Sequence, residues 1–403
     1  MSPIPLTRHE ALTAWADFLP TLGRYSSQRN HVEPLHRNVS RLSAALRHRL
    51  LLEDEVVSDT LRTYEFQTVE KWLQEVCWRR YWKGWLEMRP DVWTSWRRRV
   101  QELGETLPAT VMQRGQAVAA GESGVACMDA IARELIATGY LHNHARMWWA
   151  SYWIHVERLP WELGADMFFR HLLDADPATN TLSWRWVAGL QTPGKTYLVR
   201  RSNIEKYAPG LLNDRTGSER IADGAVSPVV ATEFAETARQ TLPDYPVTLP
   251  RSDDRVGLWL HADDLLPEVG PLADLTPATV AAFSNGQRLA ALGVGLADGL
   301  ARSGAHFKCS SVLHNDADPA AGICTWATAH RLKEVAAFAP TVGPEADLVP
   351  RLRTLLSAAG VTLTLVRRTS DAHAFTLARA GFFPFWEKMS RHLRQQNTLM
   401  TRR

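Results

Sequence analysis

From about residue 7 to residue 210, apolar residues recur three and four positions apart and strand-like alternation is scarce, which is the spacing of amphipathic helices. The stretch Thr68–Met88 (TVEKWLQEVCWRRYWKGWLEM) predicts one long helix that stops before Arg89-Pro90. A second helix is predicted over Ala126–Thr138 with Gly139 as its stop, and a third from His142 to about Glu157, ahead of Pro160. Beyond residue 210 the pattern changes. The segments NDRTGSERIADGAVSPVV and TLPDYPVTLPRSDDR, rich in Pro, Asp, Ser and Gly, read as an extended linker over 211–252, with room for one helix at Ala231–Leu242. Further on, Val256–His261, Glu334–Phe338 and Val361–Val366 are short apolar runs of the strand type, alternating with helical stretches near 278–304, 346–359 and 371–380. The expected fold is multidomain: an all-helical domain over 1–210, the linker, and an α/β layered, Rossmann-like domain with a largely parallel sheet over 253–403.

Composition narrows the class. Apolar residues make up 45% of the 403 and charged residues 22%, which excludes disordered and fibrous chains. The longest apolar run, Leu289–Ala301, is too short to span a bilayer and contains Asp298. The first twenty residues lack a basic-then-apolar leader pattern, so the chain reads as cytoplasmic, with no membrane partner. Cys77, Cys127, Cys309 and Cys324 show no C-x-x-C spacing and read as free thiols, with no metal. Residues 1–210 hold 26 basic side chains, mostly arginine, against 23 acidic ones, a balance that permits a nucleic-acid partner without requiring one. Of 16 tryptophans, 13 lie between Trp15 and Trp186. That density serves a bulky helical core, an aromatic platform for bases or a flat cofactor, or a path for electrons.

Three constellations carry candidate chemistry. On the first long helix, Trp72, Glu75, Trp78, Trp82 and Trp85 share one face, with Arg79 four residues after Glu75. The opposite face (Val69, Leu73, Val76, Cys77) is already a sufficient core stripe, so the acid and arginine among tryptophans exceed what folding needs; a helix buried on both sides is the plain alternative. On the third helix, Asn143, Arg146 and Met147 share a face, and LLDADPATNTLSWRW follows with Asp174, Asp176, Asn180, Trp184 and Trp186. Two carboxylates closing an apolar helix are costly to bury unless one pairs with Arg146. Either this is a solvated loop or it is a polar nest around a heterocycle. The third constellation, Val39-Ser40-Arg41-Leu42-Ser43, offers hydroxyls and an arginine suited to phosphate, though a serine at a helix start is usually only a cap.

In this order, VSRLS, WLQEVCWRRYW, TGYLHNHARM and LLDADPATNTLSWRWVAG resemble the flavin-binding catalytic domain of the DNA photolyase/cryptochrome family over about residues 25–208. The resemblance implies FAD as cofactor. Ser40, Arg41, Leu42 and Ser43 would hold its pyrophosphate, with Val39 where the family has threonine. Tyr25 would precede the motif and Trp72 would line the flavin site. Asp174 would pair with Arg146 beside the ring, Asp176 would face the flavin, and Asn180 would sit near N5, an asparagine typical of photolyases. At the substrate face, Glu75 would hydrogen-bond a pyrimidine dimer, Trp78 and Trp186 would bracket its bases, and Asn143 and Met147 match the cyclobutane-dimer pattern. Arg29 and Arg79 would contact the DNA backbone, and Trp184 and Trp161 would be the inner and middle members of an electron-transfer chain whose outer position is Glu102, with Trp93, Trp96 or Trp153 as candidate substitutes. The family's usual N-terminal antenna domain is not expected here; the α/β domain that follows is open to reading as a relocated or permuted antenna-like module, and a second chromophore is left unassigned.

The expected activity is therefore light-driven splitting of pyrimidine dimers in damaged DNA. A blue-light sensor of the cryptochrome type without repair activity is the main alternative, and a helical nucleic-acid-binding or scaffolding protein that has lost its flavin is the third.

Overall fold

A computed structural model of the chain describes residues 4–192, 195–224, 228–229, 238–249, 255–284 and 290–401. Contacts group the chain into two compact units that interleave in sequence. The first holds Arg24–Ser40 with Arg89–Arg239, and the second holds Pro3–Gly23, Arg41–Met88 and Gln240–Arg403.

The first unit is helical. The helix Ala126–Thr138 ends as expected on Gly139, whose φ of 66° is the left-handed turn that closes a helix. The helix Asn143–Ser151 is capped by His142, whose Nδ1 accepts the backbone N–H of His144 at 3.1 Å. It then widens into a π turn over Tyr152–Val156 instead of continuing as a single helix to Glu157. Part of the tryptophan density is ordinary core: Trp93 and Trp96 pack edge-on to each other at 5.2 Å and on Phe169 at 5.5 and 5.8 Å. The carboxylate of Glu157 gathers Arg114 and Arg220, each at 2.7 Å, and ties the start of the expected linker to the helices.

The second unit is built on a five-stranded parallel sheet in the order β3-β2-β1-β4-β5, with β1 Val256–Leu260, β2 Thr279–Ser284, β3 Ser310–Asn315, β4 Glu334–Phe338 and β5 Thr362–Val366. Three of these strands match the apolar runs read from the sequence. The expectation of helix from 278 is overturned: Thr279–Ser284 is β2 and the helix runs over Ala290–Phe307. A buried parallel strand is apolar on both faces, so its run carries no period to separate it from a helix start. The strand β3 and the helices Pro319–Ala329 and Phe382–Thr401 were not foreseen. Most of the helix foreseen at Ala231–Leu242 falls outside the described residues, and 238–242 are not helical.

The helix Phe66–Glu87 also belongs to this unit and packs along the helices Thr369–Leu377 and Phe382–Thr401. A Cβ on Gly84 would lie 2.7 Å from the Cα of Phe375, so only glycine permits the approach. Next to this contact lies a lattice of buried charge. Arg47 meets Asp263 at 2.6 Å; Arg49 meets Asp264 at 3.3 Å and also Asp371; Arg368 grips both oxygens of Asp264 at 2.7 Å; Arg367 meets Glu87 at 2.9 Å. Burial would push Asp263 up, but Arg47, His261 and Lys83 hold it far below the usual carboxylate range. Asp264 is also buried, and Arg368 and Arg49 lower it.

A carboxyl depressed in the folded state contributes stability that is complete above its unfolded value of about 4 and drains as pH falls below that. Asp263→Asn, which leaves Arg47 buried beside a neutral amide, is expected to cost about 3 kcal/mol at pH 7. Urea titrations of both proteins at pH 7 and pH 3 should show that gap narrowing in acid, as the unfolded wild-type chain takes up a proton that folded Asp263, beside Arg47, still excludes.

Candidate functional site

In the first unit, the Asn143–Ser151 helix, the loop after His171 and the Pro177–Val187 helix bring the candidate polar residues together. Arg146 makes a two-pronged pair with Asp174, at 2.8 Å to one oxygen and 3.2 Å to the other, and its Nε donates to the carbonyl of Leu141 at 3.0 Å. Such a fork resolves the cost of burying Asp174, which is 5% exposed. Asp176 caps the following helix by accepting the N–H of Thr179 at 2.9 Å. One turn on, the Asn180 amide donates to the carbonyl of Ala165 at 2.9 Å, which aims the side chain. The buried hydroxyls of Thr179 and Thr181 have no hydrogen-bond partner in the structure. A charged fork, an oriented amide and unsatisfied buried hydroxyls together fit a polar heterocycle such as a flavin ring.

The outer side of the Asn143–Ser151 helix is different. Asn143 is exposed and its amide lies 3.7 Å from the sulfur of Met147, so these two form a small polar and polarisable ridge. The imidazole of His142, behind Asn143, is driven down to about 3 by burial, with His36, His144 and Arg146 adding repulsion, so it is neutral at physiological pH. Tyr25, Arg29 and Ser40 are half-buried members of the same unit. Trp186 is also half-buried and stacks on Tyr197 at 5.7 Å.

Trp184 lies one turn after Asn180 and is buried. Its ring neighbours include Trp149 at 6.2 Å, edge-on, which the sequence reading missed; Trp153, a candidate outer member, stacks in turn on Trp149 at 5.2 Å. The signal was present in the run RMWWASYW, where Trp149 and Trp153 are four apart, although the π turn that begins at Tyr152 could not be read there. Gly164 is the notch that admits the rings of Trp184 and Trp153. Trp161, expected as the middle of the chain, is buried and takes no ring partner among the described residues.

In the second unit, Arg41 has a left-handed backbone (φ 57°), Leu42 is buried, and Ser43 opens a five-residue helix, Ser43–Arg47. Trp72 is packed by stacking on Trp15 at 5.7 Å and its indole donates to Thr60 at 3.2 Å. Glu75, Trp78 and Arg79 are half-buried on the Phe66–Glu87 helix, and Trp78 stacks on Phe382 with ring centroids 3.7 Å apart. No helix among the described residues is long and apolar enough to cross a membrane, and none of their His, Cys, Asp or Glu side chains cluster to hold a metal ion.

Residues 72–209 match the family model of the FAD binding domain of DNA photolyase. The deoxyribodipyrimidine photo-lyase of Escherichia coli is 30% identical over 190 residues, covering 43% of this chain and 37% of that protein. That of Streptomyces griseus is 33% identical over 155 residues, covering 35% and 33%. The chain therefore spans about a third of the length of these curated relatives. Among solved structures, a class III photolyase from Agrobacterium tumefaciens is similar at 21% identity over 59% of this chain and 53% of that one, with a TM-score of 0.43.

A Cβ on Gly164 would sit 2.7 Å from Cζ3 of Trp184 and 3.0 Å from Cδ1 of Trp153. Gly164→Ala is therefore expected to destabilise the protein by about 1–3 kcal/mol through overpacking. Chemical denaturation should read this loss, with a change in the near-ultraviolet dichroism of the displaced indoles.

Proposed function

We propose that the chain is a light-driven flavoprotein of the photolyase/cryptochrome family that splits cyclobutane pyrimidine dimers in DNA, a reading supported by the match of residues 72–209 to the FAD binding domain of DNA photolyase. The observation that carries this reading is the double use of one nine-residue helix, Asn143–Ser151. It turns the Arg146–Asp174 fork towards the Asn180 nest and presents Asn143 and Met147 on its outer side. When bound, reduced FAD supplies a light-excited electron that opens the cyclobutane ring and is afterwards returned.

The chain's own residues bind, orient and screen. Arg146 and Asp174 orient the ring, Asp176 fixes the helix that carries Asn180, and Asn180 presents its amide to the ring edge. Ser40, Arg41, Leu42 and Ser43 hold the pyrophosphate, and Tyr25 and Trp72 support that end. Glu75 hydrogen-bonds the damaged pyrimidines, and Asn143 and Met147 match the family's cyclobutane-dimer pattern. Trp78 and Trp186 stack the extruded bases, worth about 1–3 kcal/mol per base, which offsets the unstacking cost. Arg29 and Arg79 contact phosphates and set register. Trp184, one turn after Asn180 in the same helix, is the inner member of the electron path, with Trp161 and the Trp149–Trp153 stack as onward members.

One observation favours a second reading, a photoreceptor without repair. A face of the Trp78 ring is already covered by Phe382, a residue of the C-terminal helix. If that contact blocks repair, Phe382→Ala should raise it; if the tryptophan's other face takes the base, the variant should leave repair unchanged.

Purified protein with reductant should repair an oligonucleotide bearing one cyclobutane thymine dimer in blue light and not in the dark. Flavin-loaded protein that repairs nothing would favour the photoreceptor. Glu75→Ala is expected to lower repair by about tenfold to a hundredfold with flavin still bound, since it removes a group placed where charge develops. Asp174→Ala should weaken FAD binding by about tenfold or more by leaving Arg146 without its counter-charge; equilibrium titration of the FAD-free protein with FAD would read this directly.

A further inference from the structure

In a sheet of order β3-β2-β1-β4-β5 the chain winds outwards first to one side of β1 and then to the other, so the switch point lies between β1 and β4. In open parallel sheets, the crevice beyond the carboxyl ends of the strands at this point is where ligands bind. Here that crevice is lined by Asp263 and Asp264 after β1, Ala339 and Thr341 after β4, and Arg367 and Arg368 after β5. It is filled from within the same unit. Arg47 is fully buried with its guanidinium on Asp263, whose second oxygen accepts the backbone and hydroxyl of Thr341 at 3.1 and 3.3 Å. The next residue, His48, faces the carbonyl of Ala262 at 2.6 Å through Nδ1, and its own carbonyl accepts the N–H of Leu265 at 3.0 Å. Arg49 then reaches Asp264 and Asp371. The cavity that remains measures about 10 Å³, room for no more than one water.

Arg47, His48 and Arg49 close the short helix Ser43–Arg47, whose opening residues are the phosphate motif. Two non-glycine residues flank this helix in the left-handed region, Arg41 at φ 57° and Arg49 at φ 54°. Such residues persist only where their surroundings over-determine them. At Arg49 the constraint is visible: its guanidinium is clamped by two carboxylates of the sheet's crevice. Position and strain of the motif segment are thus set by the α/β fold.

We infer that the switch-point crevice of the α/β domain is a socket for the chain's own Arg47-His48-Arg49 segment, not a nucleotide or chromophore site, and that it positions Arg41–Ser43 for FAD. This inference rests on the flavoprotein reading above. Asp263, Asp264 and Thr341 are accordingly positioning residues: they act on FAD through Arg47–Arg49 without touching it.

The test measures FAD affinity of the FAD-free protein by titration, at a temperature where circular dichroism shows every variant folded. Asp263→Asn should weaken FAD by about tenfold, equivalent to 1.4 kcal/mol. A double replacement by an apolar pair of similar volume, Arg47→Met with Asp263→Leu, refills the socket without charge and should bring affinity back towards wild type. If Asp263→Asn does not fold, Thr341→Val removes only one donor to Asp263 and should shift affinity in the same direction by a smaller factor. A purely structural role would move the urea midpoint while leaving FAD affinity at the wild-type value, and that result would overturn the inference. In a second arm, FMN is added to the FAD-loaded wild type. No saturable binding is expected; one-to-one binding that Asp263→Asn abolishes would show the crevice open and overturn it equally. Wild-type protein that binds no FAD at all would instead overturn the flavoprotein reading, so the two failures are distinguishable.

Discussion

Arg47, Arg49 and Arg368 stand buried against Asp263, Asp264 and Asp371, and a charge taken that far from water is tolerable only while every counter-charge stays in place. The rest of the second unit is arranged around that demand. Asp263 and Asp264 come from the loop after β1 and Asp371 from the helix Thr369–Leu377; Arg368 immediately precedes that helix, and Arg47 and Arg49 come from the segment after Ser43. Neither group of residues has an acceptable buried state without the other. Ion pairs of this kind add little net stability over an apolar core, but they penalise every alternative register severely. Gly84, set against the backbone of Phe375, adds a steric condition to the electrostatic one.

The tryptophans divide by role once their neighbours are known. Trp93 and Trp96 with Phe169, and Trp15 with Trp72, are packing pairs of the kind any bulky helical core uses. Trp184 and Trp153 differ because they converge on Gly164, with Trp149 stacked on Trp153, and Trp184 lies one turn from Asn180. A set of large rings that requires a glycine notch is harder to accommodate than aliphatic packing. The excess of indole over what a core needs is concentrated there.

The polar nest and the Asn143–Met147 ridge owe their arrangement to helix geometry. Residues 143, 146 and 147 lie within one turn, so a slight rotation around the helix separates a half-buried guanidinium from an exposed amide. The fork from Arg146 to Asp174 then fixes the rotation, because a two-pronged pair tolerates little twist. The neutral His142 at the helix start contributes a cap without bringing another positive charge to Arg146.

Much of this was legible in the chain itself. The helix ending at Gly139, the stop before Pro90, the strands β1, β4 and β5, the need of Asp174 for Arg146, and the family resemblance all follow from local patterns or short motifs, whose physics involves neighbours in sequence. Tertiary structure alone decided the rest. The strand β2 was hidden because a strand buried on both faces has no alternation to display. The cover of Trp78 by Phe382, the convergence of Trp153 and Trp184 on Gly164, and the capture of Arg47–Arg49 by carboxylates after β1 and β5 join residues tens to hundreds of positions apart. A sequence states which charges and rings must find partners; which partner each one takes depends on distances in space that the order of residues does not contain.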